Sequence, residues 1–334
     1  MPCTGSESSK APSLRLEHRY SALLKSLLVC VATSCSYVPP PCFPRAALPL
    51  PSEVAARYAL PCTPQLTTLT KLPGDSALAG ELTCGSETIR FHLLQHADQQ
   101  RPVVLLVPIL SGGEDLMRSI ARRVVQRGYH AAWCERAGSA MRVPQRSPEL
   151  EQLFVRTVVQ QRVLLAFLRD TTILRPRAFF ALGVSMGGII STVLTAVEPD
   201  LDGTAICLAG ADLPNIVLDS DESRVVRWRN WRMADGGIGA NGLRQELQRE
   251  LLSDPGRLGP FVDTNSVLLV HATFDEVIRP PHQDLLWESL GRPRRFLLPL
   301  GHSSSAMAID SIIATATGFF HEREPLAEPL ATRR

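Results

Sequence analysis

Short, continuous apolar runs alternate with helical patterns along most of this chain. The runs include PVVLLVPIL at residues 102–110, AFFALGV at 178–184 and SVLLVHATF at 266–274. A strand built almost entirely from apolar residues is buried on both faces, as it is in a parallel sheet. The helical patterns between the runs supply right-handed crossovers. The sequence therefore predicts one α/β domain over residues 65–322, with a mostly parallel sheet covered by helices on both faces.

Less regular patterns complete the predicted elements. Residues 66–72 and 80–94 alternate as half-buried strands do, and Pro73-Gly74-Asp75 between them is a strong turn signal. Other strands are expected at 129–135, 203–210 and 294–300, and helices at 114–127, 149–169, 187–197 and 306–320. Residues 323–334 are expected to form a tail.

A long insertion separates two of the expected strands. Residues 212–264 are too many for an ordinary crossover, and they predict a small helical cap over the cleft. Trp228 and Trp231 are three residues apart and would share a helix face. They would pack on the domain, line an acyl or aromatic pocket, or touch lipid beside four nearby arginines, Arg224, Arg227, Arg229 and Arg232.

Composition excludes some function classes. The 334 residues are 45% hydrophobic and carry a formal net charge of +2, so a sizeable core is expected and a nucleic-acid partner is not. His92 and His96 fall in a strand-like segment and no CxxC pair occurs, so we expect neither a metal site nor a cofactor. His271 lies within an expected strand and is interpreted as structural.

The first residues have the pattern of an export signal. Within residues 1–35, Lys25 precedes a short apolar run at 27–32, which is too short to span a bilayer as a helix. The segment VATSC resembles a bacterial lipobox, which would make Cys35 the lipidated residue and the membrane tether. This predicts an exported lipoprotein of the cell envelope. The alternative is a disordered tail on a cytoplasmic protein, and the true start codon could lie downstream.

A proline-rich segment follows the leader. Residues 38–51 hold six prolines, and proline blocks both helices and sheet ladders. We interpret residues 36–64 as a semi-rigid linker between the leader and the domain. Cys62 and Cys84 could form a disulfide if the protein is exported, but the sequence does not fix that pairing.

Ser185 is the candidate nucleophile. It lies at the centre of GVSMG, directly after the strand at 178–184 and two positions before the first residue of the expected helix at 187–197. Small residues on both sides permit the sharp turn that would push its hydroxyl into a cleft. The helix that follows points its positive end at the same place. The alternative is an ordinary serine in a glycine-rich turn.

Two further residues would activate this serine. A serine hydroxyl needs a base, and a histidine base needs a carboxylate to orient it. His302 follows the last expected strand, and Asp275 follows the strand at 266–274. Active sites of open α/β sheets lie beyond the carboxyl ends of the strands, where all three residues would meet. Glu276 and Asp212 are alternative acids.

The segments GVSMGG, HATFDEVIRP and LGHSSS together resemble the α/β-hydrolase fold family over roughly residues 100–320. The resemblance implies ester, thioester or amide hydrolysis through an acyl-enzyme, without metal. It implies that Ser185 is the nucleophile, His302 the general base and then acid, and Asp275 the orienting carboxylate. It also implies an oxyanion hole formed by the N–H groups of Met186 and of Leu110, with Ile109 as the alternative to Leu110.

The expected function is a serine hydrolase that cleaves a carboxylic ester of a small molecule or a lipid. The HGGG motif of one lipase and esterase branch is absent from the loop after residues 102–110. An acyltransferase or thioesterase using the same residues is an alternative within enzymes. A catalytically silent relative that binds a ligand or partner is the alternative from another class.

Overall fold

The computed structural model describes residues 36–38, 45–73, 76–110, 113–136 and 138–324. Within them, ten strands form one mixed sheet. The strands are β1 (Ser36–Val38), β2 (Gln65–Lys71), β3 (Ala77–Cys84), β4 (Glu87–Leu94), β5 (Val103–Val107), β6 (His130–Cys134), β7 (Phe179–Val184), β8 (Gly203–Cys207), β9 (Val267–Ala272) and β10 (Arg294–Leu298). The predicted leader, with Cys35, and residues 325–334 of the predicted tail lie outside the described residues.

The sheet order is β1-β10-β9-β8-β7-β5-β6-β4-β3-β2. The strands from β10 through β6 run parallel to their neighbours, whereas β4, β3, β2 and β1 pair antiparallel. The sheet is therefore mostly parallel at its centre, as the apolar runs predict. The carboxyl ends of the central strands lie along one edge, and the loops that follow them meet there.

Helices cover both faces of the sheet. They are α1 (Ser52–Arg57), α2 (Glu114–Gln126), α3 (Ser147–Asp170), α4 (Met186–Val197), α5 (Leu213–Asp219), α6 (Ser223–Gly236), α7 (Ala240–Glu250), α8 (Pro255–Leu258), α9 (Pro280–Ser289) and α10 (Ile309–Arg323). Alternate residues of β5 point to opposite faces: Val103 and Leu105 join a core with α3 and α4, while Val104 and Leu106 join a core with α2 and α10. Both faces of this strand are thus buried, which explains its uninterrupted apolar sequence.

Residues 80–94, expected as one alternating stretch, belong to two strands. A tight turn at Gly85 joins β3 to β4, and the positive φ of Gly85, 60°, is a conformation that glycine adopts without strain. The glycine inside the alternating pattern is the local signal for this hairpin.

Residues 36–38 and 45–64, interpreted from the sequence as part of a semi-rigid linker, contact the domain in the structure. β1 pairs with β10 at one end of the sheet, and the Arg45 guanidinium donates to the carbonyl oxygens of Gly259 and Ser289. Tyr58 is buried and bonds Ser253, with 2.7 Å between Oη and Oγ. The Arg45 hydrogen bonds and the burial of Tyr58 therefore fasten this segment to the domain.

A disulfide fixes the end of this segment. Cys62 and Cys84 are joined, which links the segment to the end of β3. Cys134 and Cys207 are free thiols buried in the sheet.

The insertion between β8 and β9 is helical. It contains α5 to α8, and these helices lie beside α3, α4 and α9. Trp228 of α6 is fully buried and donates to the Gln145 carbonyl oxygen at 2.6 Å, so it packs on the domain. Of the helices described, none is both long and apolar enough to cross a bilayer.

Candidate active site

Ser185 occupies a strained turn between β7 and α4. Its φ is 58° and its ψ is −124°, values that a residue with a side chain rarely adopts. The turn is held on both sides, because the Ser185 N–H donates to the Cys207 carbonyl oxygen at 2.9 Å and the Ser185 carbonyl oxygen accepts from Gly188 and Ile189. The side chain is thus aimed away from the sheet, at the edge where the strands end.

The glycines of the GVSMG segment are needed for close approach. A Cβ on Gly183 would lie 2.1 Å from the Gly187 carbonyl oxygen and 2.2 Å from the Ser191 hydroxyl. A Cβ on Gly187 would lie 2.5 Å from the carbonyl oxygen of Val107, at the end of β5. The first turn of α4 therefore packs directly on the ends of β7 and β5, and no larger residue fits at either position.

The structure brings Ser185, His302 and Asp275 together. The His302 Nε2 lies 2.9 Å from the Ser185 hydroxyl, and the His302 Nδ1 lies 2.8 Å from the Asp275 Oδ2. The histidine is 117 residues from the serine and 27 from the aspartate along the chain. Three loops that follow the parallel strands β7, β9 and β10 therefore place the three side chains in one hydrogen-bonded line.

The Asp275 carboxylate is fixed from its other side. Its Oδ1 accepts the N–H groups of Val277 at 2.9 Å and Ile278 at 2.8 Å, in the turn that follows β9. The residue is 3% exposed, so these bonds, together with the one to His302, provide the partners that a buried carboxylate requires. These backbone donors have no residue-type signature that sequence reasoning could detect.

The two alternative acids occupy different places. The Glu276 Oε2 accepts the backbone N–H of His302 at 3.4 Å. This carboxylate therefore contacts the backbone of the histidine loop, and neither imidazole nitrogen of His302 is bonded to it. Asp212 caps α5, where its carboxylate accepts the backbone N–H of Asn215. Asp275 is thus the carboxylate bonded to the His302 imidazole.

The other histidines noted in the sequence lie apart from this line. His271 is buried on β9, and burial lowers the pKa of its imidazole to about 3. His92 on β4 stacks on Trp133 and lies 3.3 Å from a Glu135 oxygen and 3.4 Å from a Glu114 oxygen. Among the described residues, no group of three or more histidine, cysteine or acidic side chains could hold a metal ion.

Met186 and Leu110 lie beside Ser185. Met186 is the first residue of α4, where backbone N–H groups have no partner within the helix. Both residues line the cavity that also contains Ser185, whereas Ile109 lines a separate cleft. The Leu110 carbonyl oxygen accepts from Arg136 at 2.8 Å and from Arg224 at 3.1 Å. These two arginines fix the end of the β5 loop, a role the sequence analysis did not predict.

A narrow apolar cavity adjoins the Ser185 hydroxyl. Its volume is about 60 Å³. The apolar side chains that line it come from α3, α4, the helical insertion and the loop after it, and include Phe154, Ile189, Leu213, Ile216, Val217 and Leu251. A cavity of this size and character accommodates a short apolar group and disfavours a charged one.

Comparison with known proteins gives one related sequence and many similar folds. No protein-family model matches the chain. The uncharacterized protein YdjC of Bacillus subtilis strain 168 is 33% identical over 72 residues, which are 22% of this chain and 62% of that protein. The match thus covers less than two thirds of that relative.

The similar structures cover most of the chain. An acetyl xylan esterase from Paenibacillus sp. R4 has a TM-score of 0.55 and 12% identity over 79% of this chain and 91% of its own. A 2,6-dihydroxy-pseudo-oxynicotine hydrolase has a TM-score of 0.56 and 15% identity over 76% of this chain and 69% of its own. A candidate dipeptidyl aminopeptidase IV from Bacteroides ovatus ATCC 8483 has a TM-score of 0.55 and 15% identity, and the match covers 74% of this chain and 36% of that one. At these identities the likeness is one of fold.

Proposed function

From the α/β-hydrolase fold of this chain, we propose that it is a serine hydrolase that cleaves a carboxylic ester with a short acyl group. The observation that carries the proposal is the line of hydrogen bonds from the Ser185 hydroxyl through the His302 imidazole to the Asp275 carboxylate. A histidine base with a serine nucleophile at one ring nitrogen and an orienting carboxylate at the other is the arrangement that acyl transfer to serine needs.

The first half of the reaction forms an acyl-enzyme. The Ser185 Oγ attacks the ester carbonyl carbon while its proton passes to the His302 Nε2. Asp275 keeps the Nδ1 proton facing itself and stabilises the imidazolium that forms. The C–O bond to the alcohol then breaks, and His302 returns the proton to the departing alkoxide. The acyl group remains on Ser185.

The second half repeats these steps with water. A water molecule gives a proton to the His302 Nε2 as its oxygen attacks the acyl carbon, and the proton returns to the Ser185 Oγ when the acid leaves. The negative charge that develops on the carbonyl oxygen in each half is met by backbone N–H groups. We assign these donors to Met186 and Leu110, since both residues line the cavity beside Ser185.

The size of the acyl group follows from the cavity. The space beside Ser185 is about 60 Å³ and apolar, which supports an acetyl to butyryl group. The similarity to an acetyl xylan esterase, whose name gives an acetyl ester as its substrate, supports the same range.

A fluorophosphonate probe tests the nucleophile. We expect covalent labelling of the wild-type chain and no labelling of Ser185→Ala, because the probe reacts only with an activated serine hydroxyl. Ser303→Ala removes an exposed hydroxyl next to His302 and should label as the wild type does. Absence of labelling in the wild type, or equal labelling in Ser185→Ala, would contradict the proposal and favour a silent binding protein. A panel of p-nitrophenyl esters of increasing acyl length would then report the substrate range.

A further inference from the structure

A second cleft, with three arginines in its lining, opens beside the acyl cavity. Its volume is about 370 Å³, and it is lined by Ser139, Met141, Arg142, Val143, Arg224 and Arg227. Half of these residues are cationic and none is acidic. Arg142 and Arg227 are exposed, and Arg224 is half-buried.

The arginines of this region divide into two groups by their partners. On α6, Arg229 donates to the carbonyl oxygens of Val217 and Ser220, and Arg232 pairs with Glu246. These two arginines hold the helical insertion together.

The arginines that line the cleft are different. Among the described residues, no carboxylate lies within salt-bridge distance of Arg142, Arg224 or Arg227. Arg224 donates to the Leu110 carbonyl oxygen, which leaves other N–H groups of its guanidinium for a ligand. Like charges gathered in one concave surface repel each other, so an anion bound among them is favoured.

This cleft adjoins the proposed active site. Met141 lines both the arginine cleft and the cavity that contains Ser185. Val225, next to Arg224 in the chain, also lines the Ser185 cavity. The arginine cleft is therefore next to the space in which a substrate would be held at Ser185.

The two spaces suit different parts of an ester. The cavity beside Ser185 is apolar and takes a short acyl group, and an anion placed there would lose its hydration without a partner. A charged group therefore belongs to the part of the substrate outside that cavity. We propose that the arginine cleft binds an anionic carboxylate or phosphate group on the alcohol portion of the ester substrate. This inference rests on the proposed ester hydrolysis.

Three aryl acetates test the inference by hydrolysis. They are phenyl acetates whose para substituent is a carboxylate, a phosphate or a neutral carboxamide. We expect the ratio of kcat/KM for each anionic ester to that for the neutral ester to fall about tenfold in the double variant Arg142→Gln/Arg227→Gln, mainly through KM. Hydrolysis of the neutral ester should stay unchanged. The anion with the larger effect identifies the substrate as a carboxylate or a phosphate.

A matched double variant controls for net charge. Arg127→Gln/Arg249→Gln also removes two positive charges, from exposed positions that do not line the cleft. It should leave the ratio of kcat/KM for anionic to neutral esters at the wild-type value. An unchanged ratio in Arg142→Gln/Arg227→Gln, or an equal fall in both double variants, would overturn the inference. Added sodium chloride should weaken the preference for the anionic esters in the wild type.

A binding measurement separates this inference from the proposed function. In the Ser185→Ala background, para-hydroxybenzoate and para-hydroxyphenyl phosphate should bind at low ionic strength, and more weakly when Arg142→Gln and Arg227→Gln are added. Absence of ester hydrolysis in the wild type, together with anion binding in Ser185→Ala, would refute the hydrolase and keep the anion site. Hydrolysis of neutral esters with no anion binding would refute the anion site alone.

Discussion

The Asp275 carboxylate lies 2.8 Å from the His302 imidazole nitrogen, and the two residues follow the neighbouring parallel strands β9 and β10. Two backbone N–H groups fix the other oxygen of the carboxylate. The imidazole is therefore held in one orientation, with its second nitrogen at the Ser185 hydroxyl. The relationship predicts that the carboxylate acts by orienting the ring and stabilising its positive charge.

Replacing Asp275 should reduce activity far more than replacing the acid next to it. Asp275→Asn leaves the Nδ1–H of His302 without its acceptor, and we expect kcat for a short-chain ester to fall about ten-thousandfold. Glu276→Gln is the matched control, since Glu276 contacts the His302 backbone. Its kcat for the same ester should fall less than about tenfold. A larger loss in Glu276→Gln than in Asp275→Asn would reverse the assignment.

Gly183 should not tolerate even a methyl group. Gly183→Ala places a Cβ against the Gly187 carbonyl oxygen and the Ser191 hydroxyl, and we expect the free energy of unfolding to fall by about 3 kcal/mol or more. Gly318→Ala on α10 is the control, because nothing lies within 4 Å of its added Cβ. Urea unfolding should show a lower free energy of unfolding in Gly183→Ala and no decrease in Gly318→Ala.

Enlarging the acyl cavity should change the preferred chain length. Ile216 lines the cavity, and Ile216→Ala is expected to raise the activity toward hexanoyl relative to acetyl esters about tenfold. The kcat/KM values for a series of p-nitrophenyl esters measure the change. Ile312→Ala removes a buried isoleucine from the other core, so it should lower stability without altering chain-length preference.

Buried His271 should make the fold less stable in acid. Its pKa is lowered to about 3 by burial, below the ordinary value of about 6.5, so the unfolded chain takes up this proton at a higher pH than the folded chain does. Stability is therefore lost as the pH falls below about 6.5, by about 2 kcal/mol between pH 7 and pH 5.

The variant His271→Phe isolates this effect. The difference in unfolding free energy between pH 7 and pH 5 should become smaller by about 2 kcal/mol in this variant. Urea midpoints and slopes at each pH measure the change. His321→Gln alters an exposed histidine and should leave the pH dependence as it is in the wild type. An unchanged dependence in His271→Phe would contradict the buried neutral state.

The disulfide between Cys62 and Cys84 should stabilise the fold. It closes a separation of 22 residues, and Cys62→Ser/Cys84→Ser should lower the unfolding free energy by about 3 kcal/mol under oxidising conditions. With a reductant present, the variant and the wild type should be of similar stability. Alkylation of Cys62 in the unreduced, denatured wild type would contradict the pairing.

The sequence predicts the central strands and the meeting of three loops, because both depend on patterns along the chain. Continuous apolar runs mark the strands of the buried sheet, and chain order places Ser185, Asp275 and His302 after strands whose ends share one edge. These inferences need only local signals and the rules of parallel connections.

Other features depend on contacts between distant residues. The packing of residues 45–64 depends on Arg45 reaching carbonyl groups more than 200 positions away, and the fixing of Leu110 depends on Arg224, 114 positions away. Helix α9 was not predicted, and it begins with Pro280 and Pro281, which are tolerated in the first turn of a helix. No local pattern distinguishes an arginine that meets a distant carbonyl from one that meets solvent.

The positions of Ser185 and His302 along the chain have a consequence during synthesis. The turn that carries the serine is complete 117 residues before the histidine is added. A nascent or prematurely terminated chain therefore carries an inert hydroxyl, since its proton has no acceptor. In the proposed mechanism, ester cleavage therefore requires that the ribosome has already added His302.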